Sequence, residues 1–504
     1  MSTDVLANKS SPALLNNSYT HKIIFYTFLL LLFWLPIPLG SNRPWAWAIM
    51  EVIACLLFIA IIYSHSFASI KRQCKPYLPL LIGLAVFQLF QLIQLIELPI
   101  ALLNIISPNT VLIKQLVSPD IQWASIALDP TQALIASIKS FSYLLILLCT
   151  IILVNNFKRL KLLLLTIIVT GTWQAFYGSL QALNGDEYSY FMQLKNSTMA
   201  SGSFVYKNHF ANFLILCLSI GIGYLVATIN TNKQHVLNPQ HKFKKLLVII
   251  TSEKFAVRVA LAIMVIAIVL SRSRMGNAAF FIAMTTTGLL ALWLLKHKSK
   301  SLVVLVVSLI LIDTLILGAW FGLDKVKQRI EQTNITTEAR VDINEYSFEL
   351  IKLFPETGVG GGGFYSSFPT TQGSDLNAYF DHAHNDYFQF AIEYGLPASI
   401  WLGFFVLLSL YHALKAMQER RSSVMQGLGF SAVMAIIGML IHISVDFQLQ
   451  APANAAYFHV ILALAWFSRF GLKAKSKSQL KNKPKTEHIT EPRPEPRTNV
   501  QTHS

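Results

Sequence analysis

Charge is scarce in this sequence. Asp, Glu, Lys and Arg make up 13% of the 504 residues and hydrophobic types 54%, which excludes an ordinary soluble globule and points to a membrane protein. Acid is scarcer than base, with 25 Asp and Glu against 41 Lys and Arg. The basic residues are scattered through short loops rather than gathered on one face, so nucleic acid is not an expected partner. Cysteine is rare too. Cys55, Cys74, Cys149 and Cys217 fall in expected helices or in a cytoplasmic loop, where neither a disulfide nor a thiolate metal site is expected.

What the chain does have is long apolar runs. A spanning helix needs roughly 20 mostly apolar residues, and about twelve such segments occur, giving an all-α polytopic membrane fold. The expected spans are 22 to 40, 45 to 65, 77 to 97, 138 to 156, 161 to 183, 209 to 229, 257 to 271, 275 to 295, 302 to 322, 396 to 414, 424 to 446 and 453 to 470. Basic clusters follow each even-numbered span: Lys71, Arg72 and Lys75; Lys158, Arg159 and Lys161; Lys242, Lys244 and Lys245; Lys296, Lys298 and Lys300; Lys415, Arg420 and Arg421; and the tail from Lys473. Positively charged short loops are retained on the cytoplasmic side, so both termini are expected there. Residues 1–21 form the N-terminal segment, and 471–504, rich in Lys, Pro, Glu and Thr, read as a disordered basic tail that can touch anionic lipid.

The longest outer connection, about Leu323 to Asp386, lies between the ninth and tenth spans. Within it, Ala339, Ile343, Tyr346, Leu350 and Phe354 recur every three or four residues, which predicts an amphipathic helix over Thr337 to Phe354, ended by Pro355 and Gly358. Arg340 falls in its first turn, where the backbone already presents positive charge. A phosphate or diphosphate would compensate it, as would Asp342 or Glu345. "GVGGGGF", Gly358 to Phe364, lets backbone approach a ligand or turn freely. It lacks the Gly-Lys-Ser/Thr of a P-loop, and a plain connector explains it equally well.

Two further clusters stand out. "LSRSRMGNAAF", Leu270 to Phe280, puts Arg272 and Arg274 on an outer hairpin, against the positive-inside trend. Such arginines face a cavity or partner, or snorkel to headgroups. "DHAHND", Asp381 to Asp386, gathers scarce ionisable groups beside an aromatic stretch read as a short interfacial helix broken at Gly395 and Pro397. There a neutral His384, oriented by Asp381 or Asp386, can accept a proton from a hydroxyl near neutral pH. Alternatively His382 and His384 chelate a metal, though no third ligand is evident, or Asn385 or Asp386 caps the following helix.

Taken in order, these segments resemble the O-antigen ligase and polymerase superfamily of bacterial membrane glycosyltransferases. "SRSRMG" resembles its Ser-Arg-Gly segment, with Arg274 the better fit. Arg340 followed by "FPETGVGGGGF" resembles its Arg, Pro and Gly-x-Gly-x-Gly-Phe series, and "HAHNDYFQFAIEYGLP" its His-Asn-x-x-Leu and Glu-x-Gly, with the histidine on His384. "SGSFVYKNHFANFL", which contains Lys207 and His209, and "DFQLQAPANAAYF" fit less tightly; Tyr206 and Lys207 replace an Asn-Arg pair.

The resemblance implies transfer of a glycan from an undecaprenyl-diphosphate carrier to an acceptor hydroxyl at the periplasmic face of the inner membrane, without metal or other cofactor. The implied roles are His384 as base, Arg274 and Arg340 as diphosphate clamps, and Arg272, Lys207, His209, His382, Asn385, Gly360 and Gly362 around the substrates. The acceptor could be lipid A core, a growing glycan or a protein, so a ligase, a polymerase and a protein glycosylation enzyme all fit. A transporter with Asp313 as an intramembrane acid, and a structural glycan-binding member of an export complex, are the readings from other classes.

Overall fold

The computed structural model describes residues 12–184, 199–228, 252–295, 303–304, 307–308, 335–376 and 378–472, with side chains at 12–18 and 335–341 outside the description. The chain is an all-α polytopic membrane protein. Among the described residues, eight helical segments are long and apolar enough to cross a membrane. The expected ninth span, including Asp313, and the basic clusters at 242–245 and 296–300 lie outside the described residues. All four cysteines are free.

In chain order the helices are α1 Pro12–Trp34, α2 Pro44–Ser64, α3 Phe67–Cys74, α4 Leu78–Leu95, α5 Ile100–Ile106, α6 Pro108–Val117, α7 Pro130–Leu153, α8 Phe157–Asn184 and α9 Lys207–Thr228. They continue with α10 Glu253–Leu270, α11 Arg274–Leu294, α12 Ile335–Leu353, α13 Phe364–Ser367, α14 Asp386–Glu419, α15 Ser423–His442 and α16 Pro452–Phe470. Strands β1 Glu97–Pro99 and β2 Trp123–Ser125 pair antiparallel, Leu98 opposite Ala124.

α9 is the almost wholly buried centre of the bundle and packs closely on α15. Small residues make that approach possible, as in membranes generally: a Cβ on Gly427 would stand 2.5 Å from the carbonyl oxygen of Gly223. The outer faces of α2, α4 and α14 instead expose Leu56, Leu89, Ile400 and Phe404, the surface that a lipid solvent requires.

Connections alternate between two faces. On one, Ser203 Oγ donates to Pro36 O at 2.6 Å, Ala200 N to Leu270 O at 3.0 Å and Leu128 N to Val359 O at 2.9 Å. On the other, Arg159 donates to His21 O at 2.9 Å, Lys161 pairs with Glu253 at 2.5 Å, and Arg420 donates to Arg469 O at 2.9 Å. The described basic clusters fall on this second face, and every described sequence-selected site residue falls on the first.

Two elements differ from the sequence expectation. α7 begins at Pro130 rather than near 138, because Asp129 accepts hydrogen bonds from Thr131 N and Gln132 N, both at 3.1 Å, with Pro130 at the first helical position. Its first two turns are too polar to read as a span. α12 starts at Ile335, two residues earlier than expected, so Arg340 sits in the second turn, where the helix-terminal charge has weakened.

Candidate active site

The segment carrying His384 is fixed on both sides. Ala383 N donates to Gln389 Oε1 at 2.8 Å, and Asp386 N donates to Ile443 O at 2.9 Å. Asn385 caps α14 by accepting from Tyr387 N at 3.0 Å. Between these anchors His384 adopts φ +50°, a left-handed conformation that costs a non-glycine residue about 1–2 kcal/mol and persists only where the surroundings impose it.

Its imidazole meets Phe447 edge to face at 4.8 Å, and Nδ1 lies 3.6 Å from Asp446 Oδ1. The acid that faces His384 is therefore Asp446, contributed by the turn between α15 and α16. Of the two acids expected from sequence, Asp386 is buried and accepts from Leu449 N at 2.8 Å and Gln450 Nε2 at 3.3 Å, while Asp381 is exposed near Tyr206.

Asp446 also joins distant parts of the chain. Its Oδ2 accepts from Asn208 Nδ2, and Asn208 Oδ1 accepts from Ser273 Oγ at 2.8 Å. Ser273 caps α11 by accepting from Gly276 N at 3.2 Å. Arg272 and Arg274 flank Ser273 and are exposed, so the chain His384, Asp446, Asn208, Ser273 ties the backbone between the two arginines to the histidine's turn. Arg272 also has φ +50°. Lys207 Nζ reaches Arg272 O at 3.5 Å and Met199 Sδ at 3.0 Å.

Phe447 is the common packing surface. His382 stacks on it at 4.5 Å, His209 meets its edge at 4.9 Å and Tyr206 at 5.5 Å. His209 Nε2 lies 3.1 Å from Phe447 O, which ties the start of α9 to the same turn. Burial holds the His382 imidazole down to about 4, so it is neutral at physiological pH.

Because an unfolded histidine takes up its proton near 6.5, the unfolded chain binds a proton that the folded one refuses. The stability due to neutral His382 is thus complete above about 6.5 and is lost as pH falls towards 4. Thermal unfolding of detergent-solubilised protein between those pH values should show a shallower loss for His382→Phe than for the wild type.

The glycine run has a packing role. Val359 N donates to Ile392 O at 2.8 Å and Gly360 N to Glu393 O at 2.9 Å. The Glu393 carboxyl accepts from the amides of Gly362 and Phe364 and from Gln389 Nε2 at 2.6 Å. Gly395, φ +75°, interrupts α14 and lets Leu396 N donate to Pro355 O at 2.8 Å. Gly360 approaches Ala127 and Gly362 approaches Gln132, at and just before the start of α7. The loop, the acid of "EYG" and its glycine form one bracket that seats the helix bearing His384.

Of the residues selected from sequence, the structure gathers the rings of His384, His382 and His209 on Phe447, and Lys207 reaches the backbone oxygen of Arg272. Asn385 is used as a cap, Gly360 and Gly362 as packing, and the Arg340 side chain lies outside the described residues. Asp446, Asn208 and Ser273 were not selected. The one available signal was that an acid between two spans, on the outer side, is rare enough to question.

Residues 259–400 match the O-antigen ligase family model. This O-antigen ligase match covers α10, α11, α12, the glycine loop and the start of α14, and so contains His384 and the three arginines. Asn208 and Asp446 lie outside it, yet they bind its two halves together. No curated protein matches the chain.

Proposed function

We propose that this O-antigen ligase-like membrane protein transfers a glycan from an undecaprenyl-diphosphate carrier to an acceptor hydroxyl at the periplasmic face of a bacterial inner membrane. The observation that carries the reading is the linkage of His384 through Asp446 and Asn208 to Ser273, between Arg272 and Arg274. It ties the turn that bears the base to the backbone that bears two arginines, which supports a site suited to displacing a diphosphate.

With Nδ1 turned to Asp446, Nε2 is the nitrogen left for the acceptor. The acceptor oxygen attacks the anomeric carbon while its proton passes to Nε2, and the bond from that carbon to the diphosphate oxygen breaks. Charge developing on the diphosphate is met by Arg274 and Arg340, with Arg272 and Lys207 in support; arginine does this without titrating and can engage two oxygens at once. Direct attack inverts the anomeric centre, and no metal is required. Ligation to lipid A core is the principal reading, and polymerisation or protein glycosylation would use the same groups. A carrier has less support, because His384, His382, His209 and Asp446 gather around Phe447 at a turn between helices rather than midway along the spans.

Deleting the gene and separating lipopolysaccharide, lipid-linked glycan and glycoprotein tests this. Accumulation of full-length lipid-linked polymer is expected. Single-repeat carriers would indicate a polymerase, loss of glycoprotein alone a protein acceptor, and unchanged fractions would overturn the transferase reading.

A further inference from the structure

Lys139 is an ammonium placed inside an apolar helix, ten residues from the start of α7. An ionisable group at such a position is costly unless it has a partner or a function. Among the described residues it has no hydrogen-bond or ion-pair partner, and its Nζ lies over the Trp47 ring, 3.7 Å from the centroid. Glu51 on α2 and Glu393 on α14 act on it by charge at longer range, and Lys139 in turn acts on His382. A cation with two acids within electrostatic reach and neither in contact is poised rather than satisfied.

α2 supplies the other wall. Trp47 and Glu51 lie four residues apart on α2 and so share one face, and Arg43 precedes them as the extended residue before the helix. Arg43, exposed on the same face of the protein as His384, donates only to Asn42 O at 3.1 Å, and its charge reaches Tyr206 beside Phe447. The cations of this strip thus run from the protein surface at Arg43 to Lys139 near His382, with tryptophan between them.

We propose that Lys139, with Arg43 nearer the surface, binds the diphosphate head of a polyprenyl lipid beside His382, with Glu51 as the counter-charge when the lipid is absent. The inference deepens the transferase reading and rests on its donor. It adds a cation from outside the O-antigen ligase match, on α7 rather than on the hairpin that carries Arg272 and Arg274. The tryptophan face holds the ammonium extended while leaving its protons free for phosphoryl oxygens.

The test is equilibrium binding of radiolabelled undecaprenyl diphosphate to the full-length protein in nanodiscs, with inorganic pyrophosphate and phosphatidylglycerol as competitors. Lys139→Ala should weaken binding about ten- to a hundredfold, as loss of one charge-assisted contact implies. Lys139→Arg should restore most of it. Inorganic pyrophosphate should compete weakly and phosphatidylglycerol hardly at all.

Wild-type binding unchanged by Lys139→Ala overturns this inference and leaves the transferase reading intact. So does equal displacement by phosphatidylglycerol, which would make the site one for ordinary headgroups. A folded wild type that does not bind the lipid overturns both. If Lys139→Ala unfolds, Lys139→Met and Lys139→Arg give the same comparison: equal binding by these two variants also rejects the role.

Discussion

His384→Ala should abolish measurable glycan transfer, lowering the rate by about a hundred- to ten-thousandfold, the range for loss of a positioned general base. The assay is transfer of labelled lipid-linked glycan in membranes, with the donor saturating. Asp446→Asn should retain part of the activity, because the imidazole loses the carboxylate 3.6 Å from Nδ1 but keeps Phe447 and its backbone anchors. The double variant should be no worse than His384→Ala alone, since Asp446 acts through the histidine. Full activity of His384→Ala would remove the base from the mechanism, and a double variant far below the single one would show that Asp446 touches the reaction independently.

The largest loss of stability is expected at the glycine bracket. Gly358 has φ +64°, and a Cβ there would stand 2.5 Å from the Glu393 carbonyl oxygen. Gly358→Ala should therefore cost about 1–3 kcal/mol from the left-handed conformation and about 1–3 kcal/mol more from displaced backbone. Gly403 is the control: it lies within α14 and a Cβ added there meets nothing within 4 Å, so Gly403→Ala should not destabilise and should add about 0.5–1 kcal/mol through helix propensity. Thermal unfolding of the two variants in one detergent separates these outcomes. Equal stability would mean that the bracket does not seat α14.

The membrane fold was largely legible because a lipid solvent imposes length and composition on each helix separately, and the described helices match the expected spans closely. The break at the start of the tenth span was equally readable, since Gly395 and Pro397 mark it locally. Where the reading stopped, the missing information was tertiary. The start of α7 is polar because it packs against the glycine loop, a partner more than 200 residues away. The run "GVGGGGF" looks the same whether glycine makes room for a ligand or for a helix, and only the positions of Ala127, Gln132 and Glu393 distinguish them. Asp446 was hidden for the opposite reason: nothing near it in sequence shows that it faces His384, and the nearer acids, Asp381 and Asp386, were the natural but wrong partners.

The bracket also separates two kinds of evolutionary change. Under the transferase reading, the proton-accepting histidine rests on a mount built from α14, Glu393 and the glycine run, and β1, β2, α5 and α6 form a cap joined to it where Asn109 Nδ2 donates to Leu353 O at 2.7 Å and Thr357 Oγ1 to Ser107 Oγ at 3.2 Å. That cap keeps its own small apolar cluster of Leu103, Val111, Ala124 and Ile126. Substitutions inside that small cluster can therefore alter the cap while the hydrogen bonds of Val359, Gly360 and Leu396 that seat α14 stay in place.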